Sequence, residues 1–93
     1  MSDKQNRKVG DVVVLEEEHG YASVTILARW DEGDTRRYKI RFEKIFIQYP
    51  YVPYYPGDEI VISYNTRYTN SGYGWRFAEL SEWDNFMAPE VRR

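Results

Sequence analysis

The sequence predicts an all-β protein, namely a small five-stranded antiparallel barrel that ends in a short C-terminal helical turn. Short runs of β-branched and aromatic residues alternate with polar residues at a period of two, which is typical of half-buried strands. Glycine, proline, asparagine or aspartate separates consecutive runs and predicts the turns. A chain of 93 residues can build one hydrophobic core but not two, so a single barrel domain is expected at residues 9–80.

The first predicted strand begins after a polar arm. Residues 1–8 are polar or charged and show no periodicity, and we expect them to be disordered. A β-branched run at residues 12–15 follows and predicts the first strand, which an acidic turn at residues 16–20 ends.

The second and third strands are predicted to form a hairpin around a turn at residues 31–34. Apolar residues occupy the even positions of both strands, and they should share one face. Pairing Trp30 with Arg36 aligns them, because it places Ile26 opposite Ile40. The same register sets Ala28 opposite Tyr38 and Val24 opposite Phe42, and it directs Trp30 towards the core.

The third strand is predicted to be long and bent. After Glu43 the apolar residues move from even to odd positions, at Ile45 and Ile47. A change of phase within one strand is what a β-bulge produces, and bulges supply the curvature of small barrels.

Two further strands follow a stiff aromatic loop. Residues 48–57 contain three prolines and four tyrosines, which favours an extended connection. Residues 59–64 and 73–80 predict the fourth and fifth strands. Ser81 would then cap a single helical turn, within a segment 81–93 that we expect either to pack on the barrel or to dock a partner.

Two kinds of five-stranded barrel fit this order of elements. The OB-fold is favoured, because its central hairpin is built from long second and third strands and its loop between strands four and five carries ligand-binding residues. The SH3-like barrel is the alternative, because the loop at residues 48–57 is too short for the helix that many OB-folds carry at that point.

The charge pattern indicates a local basic surface on a chain whose net charge is −2. The predicted register gathers four cations on one exposed hairpin face, where like charges repel each other unless a polyanion is bound. Arginine and lysine hold nucleic-acid backbones, and exposed aromatic rings stack on bases. We therefore expect single-stranded DNA or RNA to be the ligand. The expected nucleic-acid-binding residues are Arg29, Arg37, Lys39, Arg41, Tyr21, Tyr51, Tyr54, Tyr55, Arg67, Tyr68 and Tyr73.

A plainer interpretation competes with this one. A charged outer face also keeps a sheet soluble, and tyrosine is an ordinary strand former. Trp30 and Trp75 fall on inward positions and are expected in the core. Trp83 and Phe86 are expected to dock a partner or to pack on the barrel. The segment 82–86 resembles the acidic, aromatic tails with which single-stranded-DNA-binding proteins recruit partners, although two arginines follow it at positions 92 and 93.

Other function classes have little support in the sequence. His19 lies in an acidic turn without a nucleophile beside it, Glu16, Glu17 and Glu18 point to alternate sides, and cysteine is absent, so we expect no catalysis, metal or cofactor. No apolar run could span a membrane and no secretory segment is recognisable, which favours a cytoplasmic location. Two alternative functions stay open: a protein-interaction module, such as a small phage or mobile-element regulator of a host protein, and a homo-oligomeric structural protein.

Overall fold

One antiparallel sheet of five strands forms the protein. The computed structural model describes residues 6–18, 20–48, 54–67 and 74–83. Within them the strands run in the order β4-β3-β2-β1-β5, so β1 to β4 are neighbours in chain order and β5 returns to pair with β1. The all-β class and the five strands are thus confirmed. The strands are β1 (Val12–Glu17), β2 (Gly20–Glu32), β3 (Thr35–Gln48), β4 (Glu59–Asn65) and β5 (Trp75–Ala78).

The sheet is not closed into a barrel. Along the described ranges β4 pairs only with β3, and β5 pairs only with β1. The two edge strands still contact each other through Trp75, whose Nε1 donates a hydrogen bond to the Ser63 carbonyl oxygen at 3.1 Å. The same indole meets the ring of Tyr64 edge-on at 5.8 Å. The sheet therefore curls until its edges are joined by a side chain instead of a backbone ladder.

The strength of this contact can be measured. Trp75→Phe keeps an aromatic ring but leaves the Ser63 oxygen without its donor, and we expect the free energy of unfolding to fall by about 1–2 kcal/mol. Trp30→Phe is the matched control, because Trp30 Nε1 bonds an exposed carboxylate, and it should cost less than about 0.5 kcal/mol. Urea unfolding followed by circular dichroism compares the two. Equal losses in both variants would contradict a bridging role for Trp75.

Three register shifts in the pairing of β2 with β3 produce the curl. One lies at Glu43, where Val24 faces Phe42 and Ser23 faces Lys44. This is the bulge that the change of apolar phase predicts, and it is confirmed. A second shift follows at Phe46.

The third register shift, at Leu27, overturns part of the predicted hairpin register. The pairs of Val24 with Phe42 and Ile26 with Ile40 occur as predicted. Beyond the bulge Ala28 faces Lys39, Arg29 faces Tyr38, and Trp30 faces Arg37 instead of Arg36. Because one extra residue reverses the facing of all that follow, Arg29 and Trp30 exchange sides of the sheet.

The main core cluster lies on one side of the curled sheet. Tyr38 and Phe77 are fully buried there and meet edge-on at 5.3 Å, so β5 packs across the sheet onto β3. Trp75 is half-buried against the same cluster, as the sequence predicts. The other core side chains include Val13, Leu15, Ala22, Val24, Ile26, Ile40, Phe42 and Tyr64.

Both ends of the described chain are attached to the sheet. Part of the arm predicted to be disordered is described, and there the Arg7 amide donates to the Tyr38 hydroxyl at 2.9 Å while the Arg7 side chain pairs with Glu79 at 2.8 Å. At the other end a helical turn begins at Leu80, one residue before the predicted cap at Ser81. Residues 6–8 and the turn are therefore held by tertiary contacts that the sequence pattern does not report.

Candidate ligand-binding face

The outer face is the surface of β2, β3 and β4, together with Val12 of β1, on the side of the sheet opposite the core. Three cations of β3 lie along it, at every second residue of the strand. Antiparallel pairing gives each cation one neighbour on β2 and one on β4, so the face is built from rows of three side chains. The rows are Trp30–Arg37–Ser63, Ala28–Lys39–Val61 and Thr25–Arg41–Glu59.

Each of these cations has a carboxylate partner. The partners come from the end of β2, from β3 itself and from β4, so the predicted basic face is close to neutral. The side chains of the cations stay 36–48% exposed, and exposed ion pairs of this kind contribute at most about 1 kcal/mol. A competing anion can therefore replace the carboxylates at small cost. The pairs are Arg37 with Glu32 at 3.1 Å, Lys39 with Glu59 at 3.3 Å and Arg41 with Glu43 at 2.8 Å.

Trp30 lies on the outer face, and the prediction that it belongs to the core is wrong. The bulge at Leu27 turns it outward, and 37% of the residue is exposed. Its Nε1 donates to Glu32 Oε2 at 2.8 Å, while Glu32 Oε1 pairs with Arg37. These two hydrogen bonds lower the pKa of Glu32, the one from Trp30 having the larger effect. The exposed indole of Trp30 is thus fixed beside Arg37, the first of the three cations along β3.

Apolar side chains complete the outer face. Val61 on β4 and Val12 on β1 are both exposed large hydrophobic residues. Val61 adjoins Lys39, and Val12 continues the row of Arg41 through Thr25. The face consequently mixes paired charges with exposed apolar groups.

Other predicted site residues lie away from this face. Arg29 points to the core side, where its Nη1 donates to the Arg7 carbonyl oxygen at 2.7 Å. It therefore does not share a face with Arg37, contrary to the prediction. Tyr54 stacks on Phe42 with ring centroids 4.6 Å apart, so it packs on the core instead of projecting from the loop.

The remaining predicted residues are dispersed. Tyr55 is exposed, as the loop prediction requires. Arg67 is exposed and pairs with Asp34 at 3.0 Å, beside the turn of the hairpin. Tyr51, Tyr68, Tyr73 and Phe86 lie outside the described residues.

Trp83 packs on the sheet. Its ring stacks on Phe46 at 5.4 Å and meets Tyr21 edge-on at 5.2 Å. Its Nε1 donates to Glu16 Oε2 at 3.0 Å, and the other oxygen of Glu16 binds Arg76 at 2.6 Å. Tyr21, predicted to bind nucleic acid, thus contacts the helical turn instead of standing free on the sheet.

A small apolar pocket bordered by Leu15, Phe42 and Tyr54 has room for about one water molecule. Among the residues that are described, no three potential metal ligands gather, and no helix is long and apolar enough to cross a membrane. Comparison of the chain with protein-family models, curated proteins and solved structures finds no match.

Sequence reasoning missed the residues that modify the outer face. Glu59 and Val61 join it only through the register of β4 against β3. Glu32 lies in the predicted turn at residues 31–34, directly before the cation-rich third strand. This closeness in sequence was the signal that could have identified it as a partner of a cation. Trp30 required knowledge of the Leu27 bulge.

Proposed function

We propose that the protein binds single-stranded nucleic acid on the outer face. The observation that carries the proposal is the exposed indole of Trp30 at the head of a column of three exposed cations on β3. Proteins that bind single strands combine aromatic rings, on which bases stack, with cations that follow the backbone. Alternate residues of a strand lie about 6.6 Å apart, so the column offers regularly spaced charges.

The carboxylates on the outer face set the expected strength of binding. A phosphate must displace Glu32, Glu43 or Glu59 from its cation, and each of these exchanges costs little because the pairs are exposed. Stacking on Trp30 would contribute about 1–3 kcal/mol per base. We therefore expect modest affinity that depends on salt and on the indole.

We also propose which of the two weighed fold types the sheet resembles. The strands β1 to β4 follow one another without interruption, and β5 pairs with β1. This order supports an SH3-like topology, the alternative weighed above, in an open sheet, over the Greek-key order of an OB-fold. In either class the outer face of the long hairpin is available to a ligand.

Fluorescence tests the proposal. Titration with an oligothymidylate at low salt should quench tryptophan emission, and the affinity should fall as salt is added. Trp30→Ala should weaken binding about tenfold, since the loss of one stacked base is worth about 1–3 kcal/mol. Val9→Ala, which removes an exposed apolar side chain elsewhere, is the control and should bind as the wild type does. Binding that ignores salt, or that survives Trp30→Ala unchanged, would refute the proposal.

A protein partner is the second candidate. It is favoured by the near neutrality of the outer face and by the exposed side chains of Val12 and Val61, since aromatic, apolar and arginine side chains together are typical of protein interfaces. Capture of one stoichiometric protein after nuclease treatment, lost in Trp30→Ala, would support this candidate. Sedimentation of the purified protein shows whether a second copy of the chain occupies the face.

A further inference from the structure

Two arginines are held side by side on the core side of the sheet, near the turn of the hairpin. The guanidinium carbon of Arg29 lies 5.9 Å from the ring centroid of Tyr38, and that of Arg36 lies 5.9 Å from the ring centroid of Tyr64. The two tyrosine rings stack nearly parallel, with centroids 6.4 Å apart. Both rings are buried, so they form a fixed base for two cations.

Asp31 is the carboxylate that pairs with Arg36, and the charge of Arg29 also attracts it. It faces Arg36 across the hairpin and binds it through both oxygens, at 2.9 and 3.3 Å. The hydrogen bond from Arg36, with added attraction from the charge of Arg29, lowers the pKa of Asp31. The carboxylate is thus an anion already placed near two guanidinium groups.

The two arginines differ in their ion pairs within the described part of the chain. Arg7 pairs with Glu79, and Arg36 pairs with Asp31. In the described part of the chain Arg29 has no carboxylate close enough for an ion pair, and its one hydrogen bond goes to the Arg7 carbonyl oxygen. Among the described residues Arg29 is therefore the guanidinium of this pair that lacks a carboxylate partner.

The donors and the fixed position of Arg29 suit the binding of an anion. A guanidinium carries five N–H donors, and among the described residues the single bond to Arg7 uses only one of them. The carbonyl oxygen on one side and the Tyr38 ring beneath restrict its position. A guanidinium whose position is already fixed loses little conformational entropy when it binds the oxygens of a planar or tetrahedral anion. Arginine is common at phosphate sites for this reason.

We propose that Arg29 and Arg36 form a binding site for a phosphate group, in which Asp31 competes with the bound phosphate for Arg36. Arg29 supplies the charge that lacks a partner, and Arg36 contributes when Asp31 releases it. The ligand is either inorganic phosphate or the phosphate of a nucleotide, because both present the same oxygens. The site lies on the opposite side of the sheet from the outer face and does not depend on the proposed nucleic-acid binding.

Nuclear magnetic resonance tests the site directly. Inorganic phosphate is titrated into the ¹⁵N-labelled protein at constant ionic strength, with chloride as the replaced anion, and the Nε–H signals of Arg29 and Arg36 are followed. We expect both signals to shift and to saturate. A parallel titration with thymidine 5′-monophosphate distinguishes inorganic phosphate from the phosphate of a nucleotide. The ligand that binds more tightly is the better model of the natural one.

Three variants separate binding from structural effects. Arg29→Gln should weaken phosphate binding at least about tenfold, the equivalent of one lost charged hydrogen bond. Lys44→Gln removes an exposed cation of β3 elsewhere and should leave the affinity unchanged. Asp31→Asn should raise the affinity severalfold, because the competing carboxylate loses its charge. A purely structural role of Asp31 predicts the opposite sign.

Clear outcomes would overturn the proposal. These are arginine signals that ignore phosphate, equal affinity in Arg29→Gln and the wild type, or weaker binding in Asp31→Asn. If Arg29→Gln does not fold, Arg29→Lys keeps the charge, and its loss of the planar donor fork should still weaken binding. Because no oligonucleotide is present, failure of this site and failure of the outer face are observed separately.

Discussion

Reversing the charges of Lys39 and Arg41 together is expected to weaken binding of single-stranded nucleic acid sharply while the domain stays folded. Both side chains lie on the outer face and are about half exposed, so neither supports the core. Loss of two phosphate contacts on a single strand should reduce the slope of log affinity against log salt by about 1.4. The two introduced glutamates would also lie beside Glu59 and Glu43, the present partners of Lys39 and Arg41. The outer face would then be locally negative and would repel phosphate.

The control for this variant reverses two cations away from the outer face. Lys8→Glu with Arg76→Glu changes the net charge by the same amount, and both residues are exposed. This variant should retain most of the affinity, although its weaker long-range attraction lowers the association rate. Fluorescence titration at several salt concentrations and circular dichroism compare the two proteins. Equal losses in both would mean that total charge, and not the outer face, governs binding.

Phe77→Ala should lower the free energy of unfolding by about 3–5 kcal/mol, the usual cost of deleting a buried aromatic ring. Phe77 is 1% exposed and meets Tyr38 at 5.3 Å and Trp75 at 4.9 Å. It therefore links β5 to β3 across the core. Such a loss approaches the whole stability of a typical small domain, so the variant should be partly unfolded at room temperature.

The matched control for Phe77→Ala is Leu80→Ala. Leu80 follows β5 closely but is an exposed apolar residue, and its removal should cost less than about 0.5 kcal/mol. Urea unfolding followed by circular dichroism measures both variants. A cost below about 1 kcal/mol for Phe77→Ala would contradict the packing of β5 across the core.

The sequence correctly predicts the parts of the fold in which apolar and polar residues alternate with an unambiguous period. Val24 and Ile26 alternate with polar residues, and their pairing with Phe42 and Ile40 is found as expected. The Glu43 bulge is readable because apolar residues change phase there. The Leu27 bulge is not, because Leu27 and Ala28 are both apolar and fit either phase equally well.

The candidate site was predictable only along one strand. Arg37, Lys39 and Arg41 share a face because alternation within β3 requires it. Their carboxylate partners depend on a turn and on the register of β4, which local patterns do not encode. Tyr54 illustrates the same limit, because its stacking on Phe42 requires the loop to return to the core.

The pairing of β1 with β5 has a consequence for how the chain folds as it is synthesised. Leu15 faces Phe77 across this pair, although the two residues are far apart in sequence. The meander from β1 to β4 consists of neighbouring strands and can form as soon as it leaves the ribosome. Until β5 follows, one edge of β1 is unpaired and Tyr38 lacks its edge-on partner. The nascent domain therefore exposes apolar surface that only the emergence of residues 75–78 covers.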